Sequence, residues 1–349
     1  MNEKEKLLDV KLKATGIGSL PHADADAACV YLLDKFKDIP CWPQMVQTDF
    51  LEGMLIQYAE NLPCLSIDLS KKEIIYDKSV NKDESILGFF ENFSSNNLEY
   101  FQIGRRFAKG FYALIENSAS RKNTFIKGQV VGPVTFLLSV TGPDNKAIIH
   151  DEILSDAVIR GLAMKGVWQA KKIRAAGRLP VIFFDEPSLT GFGSAFMPLN
   201  GVQFLDIFDR LISTIKEHDD APIGLHCCGN SDWDVILQSD IDILSFDAFD
   251  YGKYFVLYPE RIKKFLNRGG IIAWGAVPTC AYNSDVTIDL ILKRLNGNID
   301  ELVSRGIKRD LILRHSIFTP ACGMGALSIE SAEKIIDLTC ELGEIANTL

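Results

Sequence analysis

Eight short apolar runs, each followed by turn residues or a stretch of helical period, constrain this chain more than any other feature. The runs lie at 12–17, 43–46, 124–130, 180–184, 222–226, 241–246, 270–274 and 311–318. Between them, 24–37, 149–176, 202–218, 259–268, 288–305 and 328–346 repeat apolar residues every three or four positions, as helices packed on a sheet must. This alternation predicts an α/β fold, and eight units predict a (β/α)8 TIM barrel forming one domain over 1–349. A doubly wound open sheet is the alternative, because strand number alone does not require closure. The stretch 49–123 is too long for a bare connection. We read it as an insertion between strands two and three that caps one end of the barrel. Within it, 65–69 and 73–76 around Ser70-Lys71-Lys72 predict a β-hairpin, and 97–115 predicts a helix.

Charge and composition narrow the function classes. With 37 Lys+Arg against 46 Asp+Glu the net charge is −9, and no basic run is present, so a duplex phosphate backbone would be repelled. The longest charge-free stretch, 187–205, is interrupted by Gly191, Gly193, Pro198, Asn200 and Gln203, too polar for the roughly 18 apolar residues of a membrane span. The first residues, MNEKEKLLDVKLKA, lack the apolar core of an export signal, so the expectation is a cytoplasmic protein. Eight cysteines without dense spacing then read as reduced thiols, some available as ligands.

In a barrel the carboxyl ends of the strands form the working face. Here those ends carry Gly16-Ile17-Gly18-Ser19-Leu20-Pro21-His22, Gly132-Pro133, Asp185-Glu186-Pro187, His226-Cys227-Cys228-Gly229, Asp247, Trp274-Gly275 and Pro320-Ala321-Cys322-Gly323. His226 and Cys228 are two residues apart, so on an extended strand end they share a face while Cys227 points away. One imidazole and one thiolate can share a metal ion, and Cys322 brings a second thiolate to the same rim. Zn²⁺ suits such mixed nitrogen and sulfur donors, and three protein ligands leave a position open for substrate. Asp247 is a candidate oxygen ligand. Gly132-Pro133 reads as a turn former, Trp274 as a core filler or a wall of the pocket, and Cys280 as one of the structural thiols.

The ordered set ThrGlyIleGlySerLeuPro at 15–21, PheAspGluPro at 184–187, LeuHisCysCysGly at 225–229, SerPheAsp at 245–247 and ThrProAlaCysGly at 319–323 resembles the C-terminal catalytic barrel of cobalamin-independent methionine synthase. The HisCysCysGlyAsn and GlyProValThr pieces are also similar to the methylcorrinoid:coenzyme M methyltransferases and the uroporphyrinogen decarboxylase-like barrels. The resemblance implies a zinc-dependent methyltransferase in which His226, Cys228 and Cys322 are metal ligands and Asp247 stands where the synthases place a glutamate. It further implies that Ser19, beside Gly18, holds the carboxylate of homocysteine, and that Asp185 receives its ammonium group. A second carboxylate for the ammonium falls on Asp49 or Glu52.

Two departures bear on the methyl donor. The synthases carry an additional N-terminal barrel that helps hold folate, which this sequence does not match, and they place a histidine after strand seven where this chain reads AlaTrpGlyAlaValPro at 273–278. A methylcorrinoid, brought by a corrinoid protein docking on the rim, is therefore the expected donor. A coenzyme M or other small-thiol methyltransferase is the first rival, and Ser19 with Asp185 argues against it because a sulfonate acceptor has no ammonium group. A uroporphyrinogen-type decarboxylase needs arginines for a multiply anionic substrate, and none occurs before Arg105. A non-catalytic barrel that carries zinc or a corrinoid is the rival of another class.

Overall fold

The computed structural model describes residues 3–119, 121, 123–194, 197–280, 282–283 and 285–346. The chain opens with a short helix, α1 (Glu3–Leu7), and α2 (Ala25–Lys35), which Asp24 caps by accepting from the Ala27 amide. Next come the antiparallel strands β1 (Leu65–Asp68) and β2 (Glu73–Tyr76), then α3 (Lys82–Ser94) and α4 (Lys109–Ser118). Six strand units follow: β3 (Phe125–Val131) with α5 (Pro133–Ser139) and α6 (Glu152–Ala175), β4 (Leu179–Asp185) with α7 (Gly201–His218), and β5 (Ile223–Cys227) with α8 (Trp233–Ile236). The last three are β6 (Ile243–Asp247) with α9 (Ala248–Phe255) and α10 (Pro259–Asn267), β7 (Ile271–Val277) with α11 (Ile288–Ser304) and α12 (Arg309–Arg314), and β8 (Ser316–Pro320) with α13 (Ile329–Ile345).

Strands β3 to β8 form one parallel sheet whose spatial order is the chain order. A doubly wound sheet would reverse direction at a switch point, so that alternative is excluded. Each edge of the sheet has further bonds. Thr15 donates to the Phe318 carbonyl of β8 (2.9 Å), Leu20 to Gln44 (3.0 Å), and Lys127 of β3 to Pro40 (2.8 Å). The expected strands at 12–17 and 43–46 therefore lie beside their predicted neighbours but make single bridges rather than ladders. Pro40 and Pro43 lack an amide proton there, and Gly16 and Gly18 loosen the chain.

Other expectations shift for identifiable reasons. The run expected as a strand at 311–318 begins as helix α12, since a short apolar stretch does not by itself distinguish the two states. In 49–123 the hairpin forms around Lys72, whose φ is +57°, but the helix expected over 97–115 divides into a 3-10 turn, Leu98–Phe101, and α4. Helix α3 was not expected; Asn81 starts it by accepting from the Asp83 and Glu84 amides. Among the described residues no helix is long and apolar enough to cross a membrane.

Two apolar cores result. The larger lies between the sheet and the helices; α7 contributes Phe204, Ile207, Phe208, Leu211 and Ile215 at helical spacing. The smaller is enclosed by the curled sheet, from Phe125, Val181, Phe183, Ile243, Ile271, Ala273 and Ile317, with Leu7 and Val10 of the N-terminal segment packed among them. These strand residues alternate with outward-facing ones, as the two-residue period demands. Full burial of each large side chain contributes roughly 1.5–3 kcal/mol. Gly224 of β5 belongs to the same inward column, and a Cβ there would collide with the Phe183 ring.

Candidate metal centre

Followed toward the carboxyl ends of the strands, the inward column changes from apolar to polar. Gln129 on β3, Asp185 on β4, His226 on β5, Ser245 and Asp247 on β6 and Thr319 on β8 are all buried. Register sets the order: Asp185 pairs with His226, His226 with Ser245, and Asp247 with Gly275. Paired residues of parallel strands present their side chains to the same face, so these groups are neighbours by construction.

The His226 Nδ1 atom lies 2.9 Å from Ser245 Oγ, while its Nε2 is buried without a partner. A ring nitrogen of His226 and the sulfurs of Cys228 and Cys322 all lie within 4.8 Å of one another. Burial, and then the charge of Lys127, lowers the His226 pKa to about 3, so the imidazole is neutral and its lone pair is available. The two sulfurs lie within 4.8 Å of each other, close enough for their thiols to interact. That interaction lowers the pKa of Cys228 and raises that of Cys322, as a shared proton requires. An unpartnered imidazole nitrogen with two converging thiols is a donor set that fits Zn²⁺. Cys227 faces the outer core, and its Sγ approaches the Gly229 carbonyl at 3.7 Å.

Asp247 stands on the same rim, but outside this three-atom group. Its carboxylate caps α9 by accepting from the Asp250 amide at 3.0 Å, and burial pushes its pKa up to about 6. Ser19 packs on the segment just after Cys322: the Met324 amide donates to its carbonyl (2.9 Å) and the Gly325 amide to its Oγ (3.3 Å). Gly18, with φ +155°, lies against the Gln129 side chain, where any Cβ would collide.

The carboxylates differ in their commitments. Asp185 keeps one oxygen, Oδ1, buried and without a partner, and burial raises its pKa to about 6 against the lowering effect of Lys127. Glu52 is fully buried; one oxygen accepts from the Met45 amide (2.8 Å), and Oε1 has no partner. Burial raises its pKa as well. Asp49 instead caps the turn Phe50–Glu52 and pairs with Lys109 at 3.7 Å.

Several side chains of this region escape a motif-based reading. Glu186 is fully buried, and its carboxylate accepts from the Val134 amide (2.8 Å) and from the Thr135 amide and hydroxyl (2.7 and 2.6 Å) at the start of α5. Gly132 thus does more than shape a turn, because a Cβ there would strike the Glu186 side chain. Trp274 fills the outer core, its Nε1 donating to Ser316 Oγ at 2.8 Å. Cys280, on the loop after β7, is exposed and close enough for its charge to bear on Cys322. Ser245 and Lys127 were recoverable from the two-residue alternation of their strands; Cys280 and Glu186 carried no such signal.

No protein-family model matches the chain, and no curated protein matches it in sequence. Solved structures do. A B12-independent methionine synthase from Shewanella sp. W3-18-1, solved with selenomethionine, aligns with a TM-score of 0.59 at 18% identity over 97% of this chain and 98% of its own. A putative vitamin-B12-independent methionine synthase from Listeria monocytogenes aligns at 0.53 and 14% identity, over 92% and 86%. The chain shares their fold. At these identities the likeness concerns architecture, and the chemistry has to be argued from the side chains described above.

Proposed function

We propose that this protein is a zinc-dependent methyltransferase that moves a methyl group onto the thiol of an amino acid, homocysteine giving methionine. The observation that carries the reading is the convergence of a His226 ring nitrogen, Cys228 Sγ and Cys322 Sγ at the carboxyl ends of the strands, with the imidazole Nε2 buried and unpartnered. We also read 12–17 and 43–46 as the first two staves of a closed eight-stranded barrel, with 49–123 as an insertion that caps one end.

His226, Cys228 and Cys322 would hold the metal, and Asp247, whose Oδ1 caps α9, is the candidate for a fourth ligand through its other oxygen. A Zn²⁺ ion held there would lower the pKa of an incoming thiol while leaving it nucleophilic. The remaining work belongs to the chain itself. Ser245 holds the imidazole by Nδ1, which leaves Nε2 as the nitrogen to donate to the metal. Asp185, with its free Oδ1, takes the substrate ammonium group, and Ser19 with Gly18 takes the carboxylate. Of the two candidates for a second carboxylate, Glu52 is the better fitted: it has a free oxygen and hangs on Met45, next to the Gln44 that bridges Ser19. Asp49 is committed to Lys109. The selenomethionine bound by the Shewanella protein supports an amino-acid site in this fold.

For the donor, the absence of a histidine at 273–278 favours a methylcorrinoid, delivered by a corrinoid protein, over folate. The name of the Shewanella protein points the other way. The test is metal analysis of purified protein followed by homocysteine-dependent demethylation of methylcobalamin. About one zinc per chain and methionine formation support the reading. Turnover of coenzyme M but not homocysteine would favour the small-thiol rival, and zinc without turnover of either would favour a carrier.

A further inference from the structure

Lys127 is fully buried midway along β3, between Phe125 and Gln129 in the inward column. Enclosing an ammonium group is costly, and a neutral side chain of the same length would normally serve stability as well or better. Its partners are a carbonyl and an amide oxygen rather than a carboxylate in contact. Nζ donates to the Ile17 carbonyl at 2.5 Å and to Gln129 Oε1 at 3.3 Å, and lies 4.7 Å from the centre of the Phe183 ring.

Both hydrogen bonds lead to one place. Ile17 is the residue before Gly18-Ser19, so the ammonium group grips the carbonyl at the root of that turn. The Gln129 side chain fills the space that a Cβ at Gly18 would need, and its Nε2 donates to the Trp42 carbonyl at 3.1 Å. Trp42 is two residues from Gln44, the bridge partner of Ser19. The lysine and the glutamine therefore tie the turn to both strands beside it.

We propose that Lys127 is the positioning residue of the carboxylate-binding turn: it clamps the Ile17 carbonyl, fixes Gly18 through Gln129, and lends a positive field to an anion held at Ser19. This rests on the reading of Ser19 as the carboxylate site. It makes the preference for an α-amino-acid thiol depend on a residue that touches neither substrate nor metal.

The test titrates zinc-loaded protein calorimetrically with L-homocysteine and with 3-amino-1-propanethiol, which lacks the carboxylate. Lys127→Met should bind homocysteine about tenfold more weakly while changing by less than about twofold toward the analogue, at unchanged zinc content. Unchanged homocysteine affinity in folded Lys127→Met overturns the inference. Equal losses for both thiols also overturn it, since they signal general distortion. If the wild-type protein does not prefer homocysteine, the Ser19 reading itself fails and the inference falls with it. Should Lys127→Met not fold, Gln129→Leu keeps the ammonium group and its bond to Ile17 but removes the amide's bonds to Lys127 and to the Trp42 carbonyl that fix it against Gly18. The same selective loss there supports the proposal, and an unchanged preference overturns it.

Discussion

His226 and Ser245 occupy paired positions on β5 and β6, and Ser245 Oγ stands 2.9 Å from His226 Nδ1. Nδ1 is thereby engaged, and Nε2 is the ring nitrogen left buried without a partner beside Cys228 and Cys322. One pairing in a parallel ladder thus holds the ring of a candidate ligand.

Ser245→Ala should therefore leave the fold intact but weaken zinc retention by roughly 10- to 100-fold, as loss of a hydrogen bond behind a ligand does. Competition with a chromophoric chelator measures this. Equal retention would mean that the serine merely fills space.

Cys228→Ala and Cys322→Ala should each lose most of the zinc, because two remaining protein donors bind the ion poorly. Elemental analysis decides; full zinc in both variants would refute the site.

Asp185→Asn should raise the KM for homocysteine much more than that for a thiol lacking an amino group. A charge-assisted bond to a buried carboxylate contributes roughly 1.5–3 kcal/mol. Steady-state kinetics with the two thiols make the comparison, and equal losses would give Asp185 another role.

Glu186 offers a pH test. Burial lifts its pKa from 4.5 to about 7, partly opposed by Thr135 and Val134. A carboxyl group whose pKa is higher in the folded state stabilises that state below its unfolded pKa and loses this contribution as pH rises through the folded one. Metal-free protein should accordingly lose stability between about pH 4.5 and 7, by an amount on the order of a few kcal/mol. Glu186→Gln should be less stable at low pH, since an amide cannot accept from all three donors, and should show a flatter profile. Thermal melts at pH 5 and 8 report both effects, and an unchanged slope would count against Glu186 as the titrating group.

Incubation with homocysteine and either methylcobalamin or methyltetrahydrofolate separates the donors. Methionine should form from the first and negligibly from the second. The reverse preference would overturn the donor assignment and leave the metal centre standing.

Sequence periodicity alone determined the strand-helix alternation, because burial on one face imposes a period of two on strands and about 3.6 on helices, whatever the partner. It also placed His226 and Cys228 on one face, since residues two apart on a strand must share it. Tertiary structure decided what depends on register and on distant chain segments. The pairing of His226 with Ser245, the approach of Cys322 from 94 positions away, and the ion pair of Asp49 with Lys109 follow from which segments the fold brings together. The alternation of β3 puts Lys127 on the inward face, but only the tertiary structure shows its ammonium group donating to the Ile17 carbonyl. The apolar run at 311–318 was ambiguous for the converse reason: its local pattern fits helix and strand alike, and packing against β7 made a strand only of its second half.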